Sequence, residues 1–386
     1  MIRLQSSLIS MLLLFVVVTM SGTALAASLE DRVKALEENS SSEEKNAPVT
    51  SKQSGVDFKF GGELEFEYVD ADKDSKNPHG NFQLDTFYLY PDVAIGDDWQ
   101  LYGEIAIKSS DTIAEEVWAK YTCPKTSMWI EFGVNDYRNA RLDRISEAEI
   151  LIETAFYRND ASGIFLGGDF GGGTYWGASV TNTQTLEGKQ PGEDDSHQLL
   201  SDGRNINGTD ATHMYGLVLG YKGDIGDVNF DIMPFMYDGK LSEGDMGTLE
   251  GIEGYGDLDD KAALSSNDDK TRAGLNLHLS SGPFDLLCQY LTSEDGDLER
   301  TGWFLQPAFE LNDTFQFMYR YSNLDVDVDN AMSDSYTWDR QQHVFSAVQS
   351  VSHTIKMKYE YFINDEDTGS SDVDNDELLV QIEVHF

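Results

Sequence analysis

The chain has 386 residues, with 27 Lys and Arg against 69 Asp and Glu, for a formal net charge of −42. A body this negative has no hold on a polyanion, which excludes nucleic acid as a partner. Two cysteines in so long a chain exclude a disulfide-framed scaffold, and 40% apolar residues with 11% aromatics exclude full disorder.

Taken in chain order, Arg3 precedes an apolar run from Leu8 to Val18, and the small residues Ala24-Leu25-Ala26 follow. A positive start, a short apolar core and an A-x-A site predict a secretory signal peptide over 1–26. The run is shorter than the ~20 residues a membrane-spanning helix needs. In the next segment, 27–54, Leu29, Val33 and Leu36 fall at i, i+4 and i+7 with charged flanks, and Ser28 stands at the N-cap. That pattern is a short coiled-coil-like seam able to help trimerise the chain, or equally a frayed helix on a tether. A Ser-, Glu- and Lys-rich linker completes the segment.

From 55 to 386 the dominant pattern is alternation. Phe58, Phe60, Leu64, Phe66 and Tyr68 point one way, and Lys59, Glu63, Glu65 and Glu67 point the other. Phe315, Phe317, Tyr319 and Tyr321 repeat it around Arg320, as do Met357, Tyr359 and Tyr361 around Lys356, Lys358 and Glu360. Period two with one apolar face predicts half-buried strands. Two architectures share that pattern: a soluble β-sandwich with a dry core, and a transmembrane barrel with lipid outside and water inside. Loop lengths separate them. About sixteen strands are predicted, and their connections alternate between tight turns and mostly long loops. Short turns on one rim and long loops on the other are the layout of an outer-membrane barrel. The fold expectation is therefore all-β: a transmembrane antiparallel barrel of about sixteen strands, wide enough for an aqueous channel.

Strand parity turns Lys59, Glu63, Glu65, Glu104, Lys120, Glu131, Arg272, Arg320, Lys356 and Lys358 toward the lumen as candidate pore-lining residues. The third long loop, 134–160, carries Arg138, Arg141 and Arg144 at i, i+3 and i+6, the densest Arg cluster in the chain. A helical turn there would gather the three near one face, as a candidate pore constriction. The plainer reading is a solvated helix paired with Asp136, Asp143 and Glu147.

The stretch from Ile145 through Ile164, followed by Gly167-Gly168, resembles the phosphate-selective porin O and P family. So do the Phe82–Tyr90 strand leading into Asp98-Trp99, the N-terminal Leu–Glu seam and the terminal Phe386. The resemblance implies a trimeric sixteen-stranded porin of a Gram-negative outer membrane. Its third loop would fold into the lumen, with Arg138, Arg141 and Arg144 at the narrowing and the inward Lys and Arg residues extending a basic track. A C-terminal Phe ending an alternating strand is similar to the assembly signal read by the barrel-assembly machinery, which assigns that role to Phe386. Against an anion preference stand the equally plentiful lumen-facing acids, so cation preference or weak selectivity stays open beside anion or phosphate selectivity.

The Asp-rich strings at 325–330 and 372–377 lack the Gly at the sixth position of an EF-hand loop. They read as solvated outer-loop charge, or as loose divalent sites bridging to lipopolysaccharide phosphates. No G-x-S-x-G or H-E-x-x-H occurs, and the seven histidines are scattered. No enzyme activity, cofactor or metal site is expected. The expected function is passive diffusion of small hydrophilic or ionic solutes through a water-filled outer-membrane channel. The alternative is a structural or adhesive surface barrel without significant transport, set among outer-membrane lipid and lipopolysaccharide.

Overall fold

The computed structural model describes residues 49–53, 55–72, 80–108, 112–136, 146, 151–156, 160–189, 199–203, 212–252, 267–328, 339–367 and 375–386. The signal segment, the coiled-coil-like seam, the acidic string at 372–374 and Arg138, Arg141 and Arg144 lie outside the described residues. The first strands are β1 (Val49–Gln53), β2 (Val56–Ala71), β3 (Asn81–Ile95), β4 (Trp99–Lys108), β5 (Thr112–Thr122) and β6 (Trp129–Asp136). The short helix α1 (Leu151–Phe156) follows, then β7 (Asp160–Gly171), β8 (Thr174–Asn182), β9 (Thr185–Lys189), β10 (Leu199–Gly203), β11 (His213–Ile225) and β12 (Val228–Lys240). After α2 (Glu243–Ile252) come β13 (Asp269–Ser281), β14 (Phe284–Asp295), β15 (Leu298–Asn312) and β16 (Phe315–Val328). The last three strands are β17 (Asp339–Ser352), β18 (Ile355–Asp367) and β19 (Glu377–His385).

Strands β2–β8 and β11–β19 form one closed antiparallel ring of sixteen. Neighbours in sequence are neighbours in space, β8 pairs with β11, and the ring closes where β19 pairs with β2. The hairpin β9–β10 stands apart from the ring, and β1 pairs with the first residues of β2.

Burial settles which way the strands face. Phe66, Phe132, Leu166, Leu219, Leu275, Trp303, Phe345 and Tyr361 are exposed on the outer surface. Their inward neighbours Glu65, Glu67, Glu131, Arg272, Gln306, Arg320, Glu360 and Gln381 are buried. A water-soluble fold would reverse this, because each large apolar side chain left in water forgoes about 1.5–3 kcal/mol. Lipid against the outer wall removes that penalty, and the barrel is a transmembrane one. Closure is equally required, since an unpaired backbone N–H or C=O in hydrocarbon costs several kcal/mol.

The tight turns need backbone that only glycine adopts easily. Gly96, Gly171, Gly172, Gly226 and Gly282 all have positive φ. The β11–β12 turn sits at Gly226-Asp227. Beside these turns lie outward ring pairs: Trp99 with Tyr121, Phe170 with Trp176, Tyr221 with Phe230 and Phe284 with Phe309. Together they make an aromatic band along the tight-turn rim, where amphipathic rings meet the membrane–water interface.

Two of the long connections carry structure of their own. Residues 183–211 hold the β9–β10 hairpin, and 239–269 hold α2. The start of α2 is a reciprocal cap: Asp245 N donates to Ser242 Oγ at 3.0 Å, and Ser242 N donates to Asp245 Oδ2 at 3.1 Å. Asp245 Oδ1 also accepts from Leu186 N at 2.7 Å, tying α2 to β9.

The closing seam depends on one glycine. Gly62 and Phe386 exchange two backbone hydrogen bonds of 3.0 Å, and the Phe386 ring stacks on Phe87 at 5.8 Å between centroids. A Cβ on Gly62 would lie 2.3 Å from Phe386 Cζ and 2.7 Å from the Tyr88 carbonyl oxygen. Gly62→Val is therefore expected to destabilise the seam by about 1–3 kcal/mol through overpacking. The measurement is the fraction of refolded protein with heat-modifiable electrophoretic mobility; a wild-type fraction would refute the role given to Gly62.

Candidate functional site

The lumen wall carries opposite charge on its two sides. On β2–β6 the inward row includes Glu63, Glu65, Glu67, Glu104, Glu116 and Glu131. Aromatic donors hold several of these carboxylates in place. Tyr90 OH donates to Glu63 at 3.3 Å, Tyr102 OH to Glu104 at 3.4 Å and Trp118 Nε1 to Glu116 at 3.0 Å. On β13–β18 the inward row includes Lys270, Arg272, Arg300, Arg320, Arg340, Lys356 and Lys358. The separation is partial, since Lys59, Lys120, Asp295 and Glu360 break it, and the excess of each sign sets up a field across the passage rather than along it.

Of the ten residues singled out by parity, five are accessible to solvent and five are buried. Lys59, Glu63, Glu104, Lys120 and Lys356 keep contact with solvent, whereas Glu65, Glu131, Arg272, Arg320 and Lys358 are buried by their neighbours. Lys120 pairs with Glu131 at 3.9 Å, and Lys356 and Lys358 reach Glu383 at 3.0 and 2.6 Å. His385 sits between Glu63 and Glu383 across the β2–β19 seam. These three have the donor types of a divalent-cation site, yet the two lysines already compensate Glu383.

The connection between β6 and β7 makes contact with the far wall. Helix α1 packs against β10, β15, β16 and β17, which except for β10 lie across the ring from β6 and β7. Leu151, Ile152, Ala155 and Phe156 are buried there with Leu298, Phe304, Leu324 and Val326. Earlier in the same connection, Ser146 Oγ donates to Glu360 Oε2 at 3.0 Å, while Ser346 Oγ donates to Oε1 at 2.7 Å. Room for Ile152 comes from Gly302 on β15, where a Cβ would lie 2.7 Å from Ile152 Cγ1.

Two arginines fasten α1. Arg272 Nη1 and Nη2 donate to the two oxygens of Asp295 at 3.3 and 3.1 Å, and Arg300 Nη2 also donates to Asp295. Arg300 Nη1 donates to the Ala155 carbonyl at 2.9 Å. Both guanidinium groups lie over the Phe156 ring, at 5.5 and 4.6 Å. Alternation finds Arg272 but not this node, because its partners come together only through strand register and the far loop. At the long-loop rim, Lys240 hydrogen-bonds Asp268 and holds that carboxyl below its usual range.

No family model matches the chain, and no curated protein matches it. The similarity is to solved structures. The outer membrane channel DcaP of Acinetobacter baumannii aligns with TM-score 0.61 at 12% identity, over 88% of this chain and 100% of that one. Salmonella typhi OmpF, in complex with daunomycin, aligns with TM-score 0.60 at 10% identity, over 88% and 100%. The trimer form of OmpT, an outer membrane protein of Vibrio cholerae, aligns with TM-score 0.56 at 10% identity, over 86% and 100%. The chain shares the fold of these outer-membrane barrels.

Arg300→Met should leave Asp295 with Arg272 and remove the guanidinium from the Ala155 carbonyl, a loss of about 3–5 kcal/mol for a broken buried ion pair. Replacing Arg272, Asp295 and Arg300 together by Met, Leu and Met should recover most of it. Thermal melting in detergent checks both, and equal losses in the single and triple variants would refute the account.

Proposed function

We propose that the chain is an outer-membrane porin: a water-filled channel for passive diffusion of small hydrophilic or ionic solutes. One observation carries the reading: a closed sixteen-stranded ring with apolar side chains outside and a charged inner wall. A barrel of this strand number leaves an aqueous interior rather than a packed core. The likeness to OmpF and to DcaP, an outer membrane channel, supports it at the level of fold. Export by a signal peptide, insertion aided by Phe386 and assembly as a trimer among lipopolysaccharide complete the proposal. No catalytic step or cofactor is part of it.

Within this reading the third loop sets the constriction, and Arg138, Arg141 and Arg144 bias it toward anions. The acidic row on β2–β6 opposes that bias, so the net preference is weak. Selectivity for phosphate is the narrower form of the same proposal. The rival, a surface barrel without transport, is favoured by the burial of Lys270, Arg300 and Arg320, which reflects filling on that side of the lumen.

Planar-bilayer recording of the reconstituted protein separates the two. Discrete conductance steps are expected, and their absence would overturn the channel reading. In a KCl gradient, neutralising Arg138, Arg141 and Arg144 together to Gln should move the reversal potential toward cations. An unmoved potential would remove these arginines from the constriction.

A further inference from the structure

A cavity of about 310 Å³ lies on β6–β8, β11 and β12. Its inward lining includes Trp129, Tyr175, Gly177, Val218, Lys222 and Met233. The size falls at the lower end of small-molecule sites, which combine apolar walls with a few fixed polar groups.

The two rings are seated by glycines opposite them in the sheet. Trp129 pairs in register with Gly167, and Tyr175 with Gly220. A Cβ would lie 2.2 Å from Trp129 Cζ2 at the first position and 2.0 Å from Tyr175 Cζ at the second. Each ring therefore lies over bare backbone, an arrangement that fixes an aromatic on a sheet. Val218 and Met233 contribute apolar surface to the same cavity.

Each ring also has an acid–base pair beside it. Lys120 Nζ is 4.7 Å from the Trp129 centroid and 3.9 Å from Glu131. Lys222 Nζ is 5.2 Å from the Tyr175 centroid and 3.7 Å from Asp231, which also accepts from Tyr175 OH at 2.6 Å. An anion would meet a favourable lysine and an unfavourable carboxylate in each pair, and a cation the reverse. A neutral hydroxyl both donates and accepts, so it suits both members.

We infer that this cavity is a binding site for a neutral, hydroxyl-rich ring solute of monosaccharide size. One C–H face of the ring packs on Trp129 or Tyr175. Its hydroxyls bond Lys222, which lines the cavity, and Asp231 paired with it. Lys222 is half exposed and can swing from the Tyr175 face to admit the ring. The inference rests on the channel reading and names a class of solute for it.

The test is single-channel recording in KCl with added glucose, and with sorbitol as the open-chain control. Glucose should lower the current saturably in the millimolar range, while sorbitol should lower it only in proportion to viscosity. Trp129→Leu with Tyr175→Leu should remove the saturable part and keep the open steps. Trp129→Phe, which keeps a ring on Gly167, should retain most of it, and heat-modifiable mobility verifies folding of each variant. Steps with equal, unsaturated effects of both solutes would overturn the sugar site and leave the channel standing. Saturable glucose block that survives the double variant would also overturn it. Absence of steps in the wild type would overturn the channel reading and this inference together.

Discussion

The rest of the structure depends on the demand that every backbone amide in hydrocarbon have a partner. A sheet meets it only by closing, and this sheet closes at β19 against β2. Closure fixes the strand order, and the strand order fixes which side chains share the lumen. The pairing of β8 with β11 leaves the β9–β10 hairpin outside the ring and available to pack with α1 and α2. The apolar outer face and the polar inner one are consequences of where each then lies, in lipid or beside water.

The barrel was legible because its signal is local. Phe315, Phe317, Tyr319 and Tyr321 alternate with Gln316, Met318 and Arg320 without reference to anything distant, and turn glycines punctuate the strands. The elements that escaped sequence reading need long-range partners. Helix α2 has a readable cue in Ser242-x-x-Asp245, but a single cap amid acidic residues says little without β9, whose Leu186 N bonds Asp245, to pack upon. The β9–β10 hairpin has five-residue strands, too short for a firm alternation. Arg300 carries no local signal, because its meaning comes from Asp295 and from Ala155, 145 positions away in sequence. Residues of the third loop bearing the Arg triplet remain a sequence expectation, carried forward in the proposed function.

The charge of −42 describes the chain poorly as a guide to the lumen. Much of it belongs to connections: residues 239–269 carry nine acids against Lys240 and Lys261. On the wall itself the acids gather on β2–β6 and the bases on β13–β18. Many are tied to neighbours, as Glu360 is to two serines and Glu383 to two lysines. A dipolar solute crossing such a passage would turn to align with it, whichever sign predominates overall.

Gly302 has a wider significance than its size suggests. The missing side chain on β15 makes the recess that accepts Ile152, so the position of α1 is dictated by the opposite wall rather than by the loop that carries it. The seat of α1 is thereby encoded far along the chain from the helix itself. Divergence in α1 and divergence in β15 are consequently coupled, and homologues that enlarge the residue at Gly302 should be found to shrink the one at Ile152 in concert.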